Sequence, residues 1–215
     1  MDEIIEEVIP KKKVKKEKDV RKALFLQRFV AFIIDMLIVS LIASFITAPF
    51  IDAKKEEEQS NKAVELIQKY QNQEISIDEY TSQYKNTSFQ LAKASGLTSI
   101  VSILISVIYF VVFQTLKKGQ TLGKKLMKIR VISTDGELSY NQMIFRSMIA
   151  NSILVDILIF IALLFNSSHV YFYCSIIFES LGYILMFISM IMIMNKNNGL
   201  AVHDKLVHTM VIREV

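Results

Sequence analysis

The stretch FVAFIIDMLIVSLIASFITAPFI, residues 29–51, contains a single charged side chain, that of Asp35. A helix of about 20 apolar residues is long enough to cross the hydrocarbon core of a bilayer. This stretch is therefore predicted to span a membrane, and it is too long to be the apolar part of a cleavable signal peptide. Three further apolar stretches predict spans at about residues 96–116, 148–165 and 170–194.

The composition favours a membrane protein over a soluble one. Of the 215 residues, 52% are hydrophobic and 21% are charged, and the mean hydropathy is +0.37. The formal net charge of +4 comes from basic residues that flank the apolar stretches. No zinc spacing or aromatic-interleaved basic motif accompanies them, so we predict no nucleic-acid partner, no metal site and no cofactor. The one cysteine, Cys174, cannot form a disulfide within the chain.

The distribution of lysine and arginine predicts the orientation of the four spans, because cytoplasmic loops are enriched in these residues. Residues 1–28, 117–147 and 195–215 together carry 19 basic and ten acidic residues, whereas residues 52–95 carry six basic and eight acidic ones. Both termini and the central loop are therefore predicted to be cytoplasmic. The predicted location is the cell membrane, with the lipid bilayer as a partner.

Two segments outside the spans have distinct patterns. Residues 1–24 are predicted to form a basic, disordered cytoplasmic tail that precedes a transmembrane domain at residues 25–215. In the outer segment, residues 52–95, apolar residues recur at helical spacing from Ala63, and the sequence SIDE at residues 76–79 has the form of a capping box that begins a second helix. We predict an external helical hairpin.

The central loop predicts a small cytoplasmic β-patch. Residues 128–133 alternate polar and apolar side chains, and Asp135-Gly136 is a hairpin-turn signal. Residues 138–140 are expected to continue on the far side of that turn, and residues 209–213 offer a third strand. The predicted fold class is thus an all-α membrane protein, a four-helix transmembrane bundle with this minor β-patch.

Residues 119–129 connect the second span to the β-patch. The sequence GQTLGK at residues 119–124 lacks the four-residue gap and the following serine or threonine of a phosphate-binding P-loop. It predicts a turn and a short interfacial helix, with Leu122, Leu126 and Ile129 toward the membrane and the lysines toward lipid phosphates.

Three carboxylates, those of Asp35, Asp156 and Glu179, lie inside predicted spans. An ionisable side chain in the bilayer core costs roughly 2.5–3.5 kcal/mol on insertion scales, so all three are expected to point into the bundle. Arg28 stands at the cytoplasmic mouth of the first span, on nearly the same helix face as Asp35. Two interpretations stay open: buried carboxylates that hold the helices together, or a path for protons or cations.

Three segments resemble, in their order and spacing, the RDD family of membrane proteins. They are QRFVAFIID at residues 27–35, GQTLGKKLMKIRVISTDG at residues 119–136 and VHDKLVHTMVI at residues 202–212. The family is named for one arginine and two aspartates, which by position correspond to Arg28, Asp35 and Asp204. The resemblance implies residence in a bacterial inner membrane and an activity in ligand transport or cation/proton exchange.

The chain departs from the family pattern at several positions. Family members often carry a glycine where Met127 or Lys128 stands, and a small residue where His208 stands. They do not generally carry Asp156 or Glu179, which the resemblance therefore marks as features of this chain.

Because Asp204 follows the fourth span, we expect it at the level of Arg28. The hypothesis is that Arg28 bridges Asp35 and Asp204 and so ties the first helix to the C-terminal segment. His203 and His208 flank this bridge and are candidates for pH sensing, although histidines at such places more often serve only as hydrogen-bonding groups.

Two functions follow from these residues. The first is a transporter or cation/proton exchanger that uses the intramembrane carboxylates, and since four helices form a narrow monomer it would act as a homo-oligomer. The second is a non-catalytic membrane anchor or regulatory partner of another protein, bound through the β-patch or the outer hairpin. The sequence has no metalloprotease, serine-hydrolase or nucleophile–base motif, so we predict that it is not an enzyme.

Overall fold

The computed structural model describes residues 21–195 and 199–214, so most of the predicted tail at residues 1–24 lies outside the described part. The described residues are mostly helical, at 75%. The helices are α1 Phe25–Thr47, α2 Ala53–Gln71, α3 Ile77–Ala94, α4 Gly96–Leu116, α5 Leu122–Leu126, α6 Tyr140–Ala150, α7 Ile153–Leu164, α8 Ser168–Met194 and α9 Val202–Leu206. The strands are β1 Ile129–Ser133 and β2 Thr209–Arg213.

Among the described residues, three helices, α1, α4 and α8, are long and apolar enough to cross a membrane. Their positions agree with the first, second and fourth predicted spans. Within α4, residues Val107–Phe113 form a π-helical segment. The orientation of these helices across a bilayer stays a prediction.

The third predicted span, at residues 148–165, is not one straight helix. Helices α6 and α7 are bent by 66° at the break between them, where Ser152 has a left-handed φ of 56°. Helix α7 has 12 residues, which is about 18 Å at 1.5 Å per residue and shorter than the roughly 30 Å hydrocarbon core. A fourth span therefore exists only if α6 and α7 cross together as a broken helix.

Helix α1 packs on the bundle through a narrow stripe. Its buried residues are Ala31, Asp35, Val39, Ala43 and Thr47, which follow one another at intervals of four. This spacing keeps the side chains on one face of a helix. Small residues at two of the five positions allow neighbouring backbone to approach closely, while the rest of the helix presents exposed apolar side chains.

Helices α2 and α3 form the predicted hairpin-like pair over residues 53–94. The Ser76 hydroxyl begins α3 by accepting a hydrogen bond from the Glu79 backbone N–H at 3.2 Å. The pair packs on the start of α8, where the Tyr84 and Phe172 rings meet edge to face with their centroids 6.2 Å apart. Its predicted place outside the membrane is not tested by these contacts.

The two strands form one antiparallel sheet, in which Val131 pairs with Val211. The predicted strand at residues 138–140 is wrong. Ser139 instead begins α6 through a capping box with Gln142, and Leu138 packs against the buried cluster that includes Val131. The capping box satisfies backbone groups that a hairpin would otherwise have paired, so helix formation starts immediately after the turn.

Residues 119–133 and 199–213 are two copies of one local fold. Each begins with a glycine of positive φ, continues through a five-residue helix and ends in a strand. The two φ angles are 87° at Gly119 and 53° at Gly199. Between helix and strand, each copy again has a left-handed residue, with φ of 52° at Lys128 and 55° at His208. Glycine adopts this conformation most easily, which gives a physical reason for the glycine that the family resemblance leads one to expect near Lys128.

The centre of the sheet relates the two copies to each other. Val131 and Val211 occupy equivalent positions in the two copies and are also paired partners. Because the two strands are antiparallel and equivalent residues pair at their centre, an approximate twofold axis relates the two copies. Helices α5 and α9 therefore extend from this sheet toward the bundle as two equivalent arms. The first arm, α5, contacts the buried Asp35, and the second arm, α9, carries the buried Asp204.

Candidate functional site

Asp204, in α9, is completely buried and lies between two arginines. Arg28 Nη1 donates to its Oδ2 at 3.0 Å, and Arg146 Nε donates to its Oδ1 at 3.0 Å. The Ala201 backbone N–H donates to Oδ2 at 3.3 Å, and the Thr209 hydroxyl donates to Oδ1 at 3.4 Å. One carboxylate thus joins α1, α6 and the C-terminal segment.

Arg28 fastens α1 to the second arm. Besides Asp204, its Nη2 donates to the backbone carbonyls of Gly199 at 2.9 Å and Val211 at 3.3 Å. The predicted contact between Arg28 and Asp204 is therefore present. The second arginine, Arg146, is only 5% exposed, so this cluster buries two positive charges around the single negative charge of Asp204.

Asp35 is buried but does not contact Arg28, contrary to the predicted double bridge. Its Oδ1 accepts hydrogen bonds from the Tyr109 hydroxyl at 2.7 Å and from the Gly123 N–H at 2.8 Å, and its Oδ2 accepts one from the Thr121 hydroxyl at 2.5 Å. In the described part of the chain, none of the ion pairs includes Asp35. Two helical turns separate it from Arg28, about 10 Å of rise, and the first arm fills that interval.

Helix α5 approaches Asp35 through its N-cap residue, Thr121, and through Gly123. The Thr121 hydroxyl accepts a hydrogen bond from the Lys124 backbone N–H and so begins the helix. A Cβ at Gly123 would lie 2.3 Å from the Ala31 carbonyl oxygen and 2.8 Å from Asp35 Oδ1. Only glycine therefore allows the backbone of α5 to donate directly to the aspartate.

The predicted short helix is present as α5, but not all of its neighbouring side chains face as predicted. Leu122 and Leu126 are exposed, as an interfacial helix requires, whereas Ile129 is completely buried in β1. Lys124 turns toward the bundle instead of toward lipid phosphates. Burial and the charge of Arg146 lower the pKa of Lys124 to about 7, against the opposing effect of nearby carboxylates.

The two histidines that are candidates for pH sensing, His203 and His208, have different environments. His203 Nε2 lies 3.7 Å from Asp204 Oδ1, and burial together with the charge of Arg146 lowers the pKa of His203 to about 3. His203 is therefore neutral at physiological pH, where a pH sensor would have to change its charge. His208 is 67% exposed in its side chain, and its Nδ1 lies 3.2 Å from Asp135 Oδ2. Its predicted sensing role stays untested.

Acidification is expected to destabilise the protein through this cluster. Burial would raise the pKa of Asp204, but the charges of Arg146 and Arg28 and the hydrogen bond from the Ala201 backbone outweigh it and lower that pKa. A group with a lowered folded-state pKa contributes stability at high pH and loses it as pH falls. His203 acts in the same direction, because the unfolded chain binds its proton below about pH 6.5 and the folded chain only below about 3.

The measurement is the midpoint of thermal unfolding in detergent between pH 7 and pH 4. The midpoint should fall with pH in the wild type, and it should fall less steeply below pH 6.5 in a His203→Gln variant. Superimposable pH dependences of the two proteins would show that His203 is not buried in its neutral form.

Asp156 and Glu179 lie at a separate site. Both line a cavity of about 360 Å³ between α3, α4, α7 and α8. Both side chains are exposed in the isolated chain, so the cavity is an open cleft. All three intramembrane acids were predicted to point into the bundle interior, and this prediction is correct only for Asp35. Hydroxyl groups supply the other polar part of the wall, from Ser95, Thr98, Ser99, Ser102 and Tyr171.

The cleft contains no compensating positive charge. None of its lining residues is basic. Among the described residues, neither Asp156 nor Glu179 accepts a hydrogen bond or forms an ion pair with a protein group. These two acids therefore differ in kind from Asp35 and Asp204, whose oxygens are occupied by donors of the protein itself.

Sequence reasoning missed four residues of the buried clusters. Arg146 carried a weak signal, as a lone cation at the start of an apolar stretch, and Thr121 and Gly123 lie within the motif at residues 119–136. Tyr109 carried none, because a tyrosine in a span has many other roles. The partners of an intramembrane aspartate depend on which helices are neighbours, which a single sequence does not state.

The apolar helices and the buried Arg–Asp–Arg cluster define a helical membrane protein whose first helix is tied to its C-terminal segment. A family model described as RDD family matches residues 22–208, which is most of the chain. The protein belongs to the RDD family. Comparison with curated proteins and with solved structures gave no match.

Proposed function

We propose that this protein exchanges cations for protons across the bilayer, and that Asp156 and Glu179 are the groups that bind them. The observation that carries the proposal is the shared cleft, in which two acids face one space with no basic lining residue. The substrate is moved without chemical change, and the chain has no enzymatic role in this proposal.

The exchange follows from the energetics of the two carboxylates. Each ionised group within a bilayer costs roughly 2.5–3.5 kcal/mol, and two like charges at one site disfavour each other further. The cleft is therefore stable in two conditions: with a cation bound to the carboxylates, or with protons bound to them. Replacement of one by the other, alternately from the two sides of the membrane, is cation/proton exchange.

In this proposal the three residues that name the family have a supporting role. The carboxylate oxygens of Asp35 and Asp204 already accept hydrogen bonds from protein donors, among them Arg28 Nη1, so the two acids have little capacity left with which to bind a cation. Their contacts hold α1, α5 and α9 together at the predicted cytoplasmic end. A homo-oligomer would enclose the open cleft from the lipid side.

Proton flux in proteoliposomes tests the proposal. Addition of Na⁺, K⁺ or an alkylammonium ion to vesicles that contain the wild type and a trapped pH-sensitive dye should, for the cation that the protein exchanges, move protons in the opposite direction. Asp156→Asn and Glu179→Gln should each abolish this movement, whereas Glu57→Gln, at an exposed position of α2, should leave it unchanged.

Cation-driven proton flux that persists in the Asp156→Asn/Glu179→Gln double variant would overturn the assignment of these residues. If the folded wild type gives no proton flux with any cation, the exchange proposal fails. The function would then be that of a non-catalytic anchor or regulatory partner.

A further inference from the structure

We propose that the Asp156–Glu179 cleft takes a small organic ammonium ion with an apolar substituent, rather than a bare metal ion. This inference rests on the proposed function, since it names the class of cation that the same site binds. It is carried by the size of the cleft, by the chemistry of its walls and by the unoccupied oxygens of its two acids.

The size of the cleft exceeds what a dehydrated metal ion can fill. A water molecule takes up about 30 Å³ of liquid volume, so a cleft of about 360 Å³ has room for about a dozen water-sized groups. Binding sites for small organic molecules have volumes of roughly 300–1,000 Å³. The cleft lies at the lower end of that range.

The walls lack the convergent ligands that a metal ion needs. A dehydrated Ca²⁺ requires six to eight oxygen ligands at about 2.3–2.6 Å. Within residues 21–195 and 199–214, no group of three His, Cys, Asp or Glu side chains is arranged to hold a metal ion. Two carboxylates on different helices provide negative charge across a wide space, which suits a polyatomic cation better.

The wall of the cleft also has an apolar part, which includes the aromatic ring of Phe160. Ile103, Ile159, Phe160 and Leu163 line the cleft alongside the two acids. An ammonium group placed at the carboxylates would leave its substituent against these side chains, where apolar contact is favourable. An aromatic ring can add a cation–π contribution, which metal ions with tight hydration shells gain less readily.

The polar groups of the wall also match an ammonium ion. An ammonium N–H needs acceptors, and the two carboxylates accept no hydrogen bond from any described protein group. The hydroxyls of Ser99 and Ser102 lie one helical turn apart on α4 and line the same cleft. The Thr98 hydroxyl oxygen is buried there without a hydrogen-bond partner, so this wall has hydrogen-bonding capacity that the protein leaves unused.

Binding of n-butylammonium to the purified full-length protein in detergent tests the inference, with Na⁺ at equal concentration and ionic strength as the comparison. The midpoint of thermal unfolding should rise with butylammonium concentration in the wild type, because a ligand that binds only the folded state stabilises it. The rise should be absent in Asp156→Asn and in Glu179→Gln.

Phe160→Ala tests whether the cleft binds the organic part of the cation as well as its charge. It should weaken butylammonium binding by about five- to thirtyfold, the equivalent of losing one aromatic contact, and should leave any effect of Na⁺ unchanged. Phe165→Ala is the matched control, because Phe165 lies at the end of α7 and is not among the residues that line the cleft. A normal unfolding midpoint without ligand verifies that each variant folds.

The outcomes separate this inference from the function on which it rests. If Na⁺ drives proton flux that depends on both acids while butylammonium neither binds nor competes, the organic-cation inference is overturned and the exchange proposal stands. If butylammonium binds in an acid-dependent way but no cation drives flux, exchange fails and the binding site stands. Equal loss of butylammonium binding in Phe160→Ala and Phe165→Ala would remove the assignment to this cleft.

Discussion

Replacement of Asp204 by asparagine is expected to lower the free energy of unfolding by about 3–5 kcal/mol, the usual cost of removing one partner from a buried ion pair. The carboxylate is completely buried and is the shared acceptor of Arg28 and Arg146. Asparagine has a similar shape but no charge, so both guanidinium groups would stay buried with their charges uncompensated. The junction between α1, α6 and α9 should loosen first.

The measurement is the midpoint of thermal unfolding in detergent at pH 7, compared with that of Asp135→Asn. Asp135 also faces a basic partner, His208, but both side chains are more than 60% exposed, so its loss should change the midpoint little. Removing one cation together with the acid, in Asp204→Asn/Arg146→Gln, should recover part of the loss. If Asp204→Asn is no more damaging than Asp135→Asn, the cluster does not hold the helices together.

Gly123→Ala is the second large effect that we expect. The added methyl carbon would lie 2.3 Å from the Ala31 carbonyl oxygen, and this contact involves the backbone of α1, which cannot move aside independently. Helix α5 would have to move away from α1, and the hydrogen bond from the Gly123 N–H to Asp35 would be lost. Overpacking of this kind typically costs about 1–3 kcal/mol, and the loss of a hydrogen bond to a charged group adds to it.

Gly182→Ala is the matched control, because a Cβ at that position would meet the Val155 side chain at ordinary distances, 3.4 Å from Cγ2 and 3.9 Å from Cγ1. Unfolding midpoints of the two variants in detergent give the comparison, with Gly123→Ala far below the wild type and Gly182→Ala close to it. Similar midpoints for the two variants would mean that α5 does not lie against α1 as described.

Some contacts can be predicted from the sequence because they require only that two residues lie at the same depth relative to the membrane. Arg28 lies at the start of the first apolar stretch, and Asp204 lies ten residues after the last one. Both residues are therefore predicted to lie at the same face of the membrane. There an ion pair avoids leaving either buried charge without an opposite charge, which would be strongly destabilising. The structure contains this pair.

The errors of the sequence analysis share a different cause. Placing Asp35 with Arg28 assumed that residues on one helix face share partners, but helix α5 lies beside Asp35 and supplies neutral donors instead. Continuing the sheet through residues 138–140 ignored the capping box at Ser139. The prediction of one straight third span did not allow for the left-handed backbone of Ser152, which the local sequence does not distinguish from a helical serine.

Hydropathy and motif order are properties of consecutive residues, so they are enough to predict which segments can enter a bilayer and which family the chain resembles. Which acids have hydrogen-bond donors around them can be read only from the packed helices. Asp35 and Asp204 are occupied by protein donors, while Asp156 and Glu179 face an open cleft. That distinction depends on contacts between residues far apart in the chain, and such contacts exist only once the helices have packed.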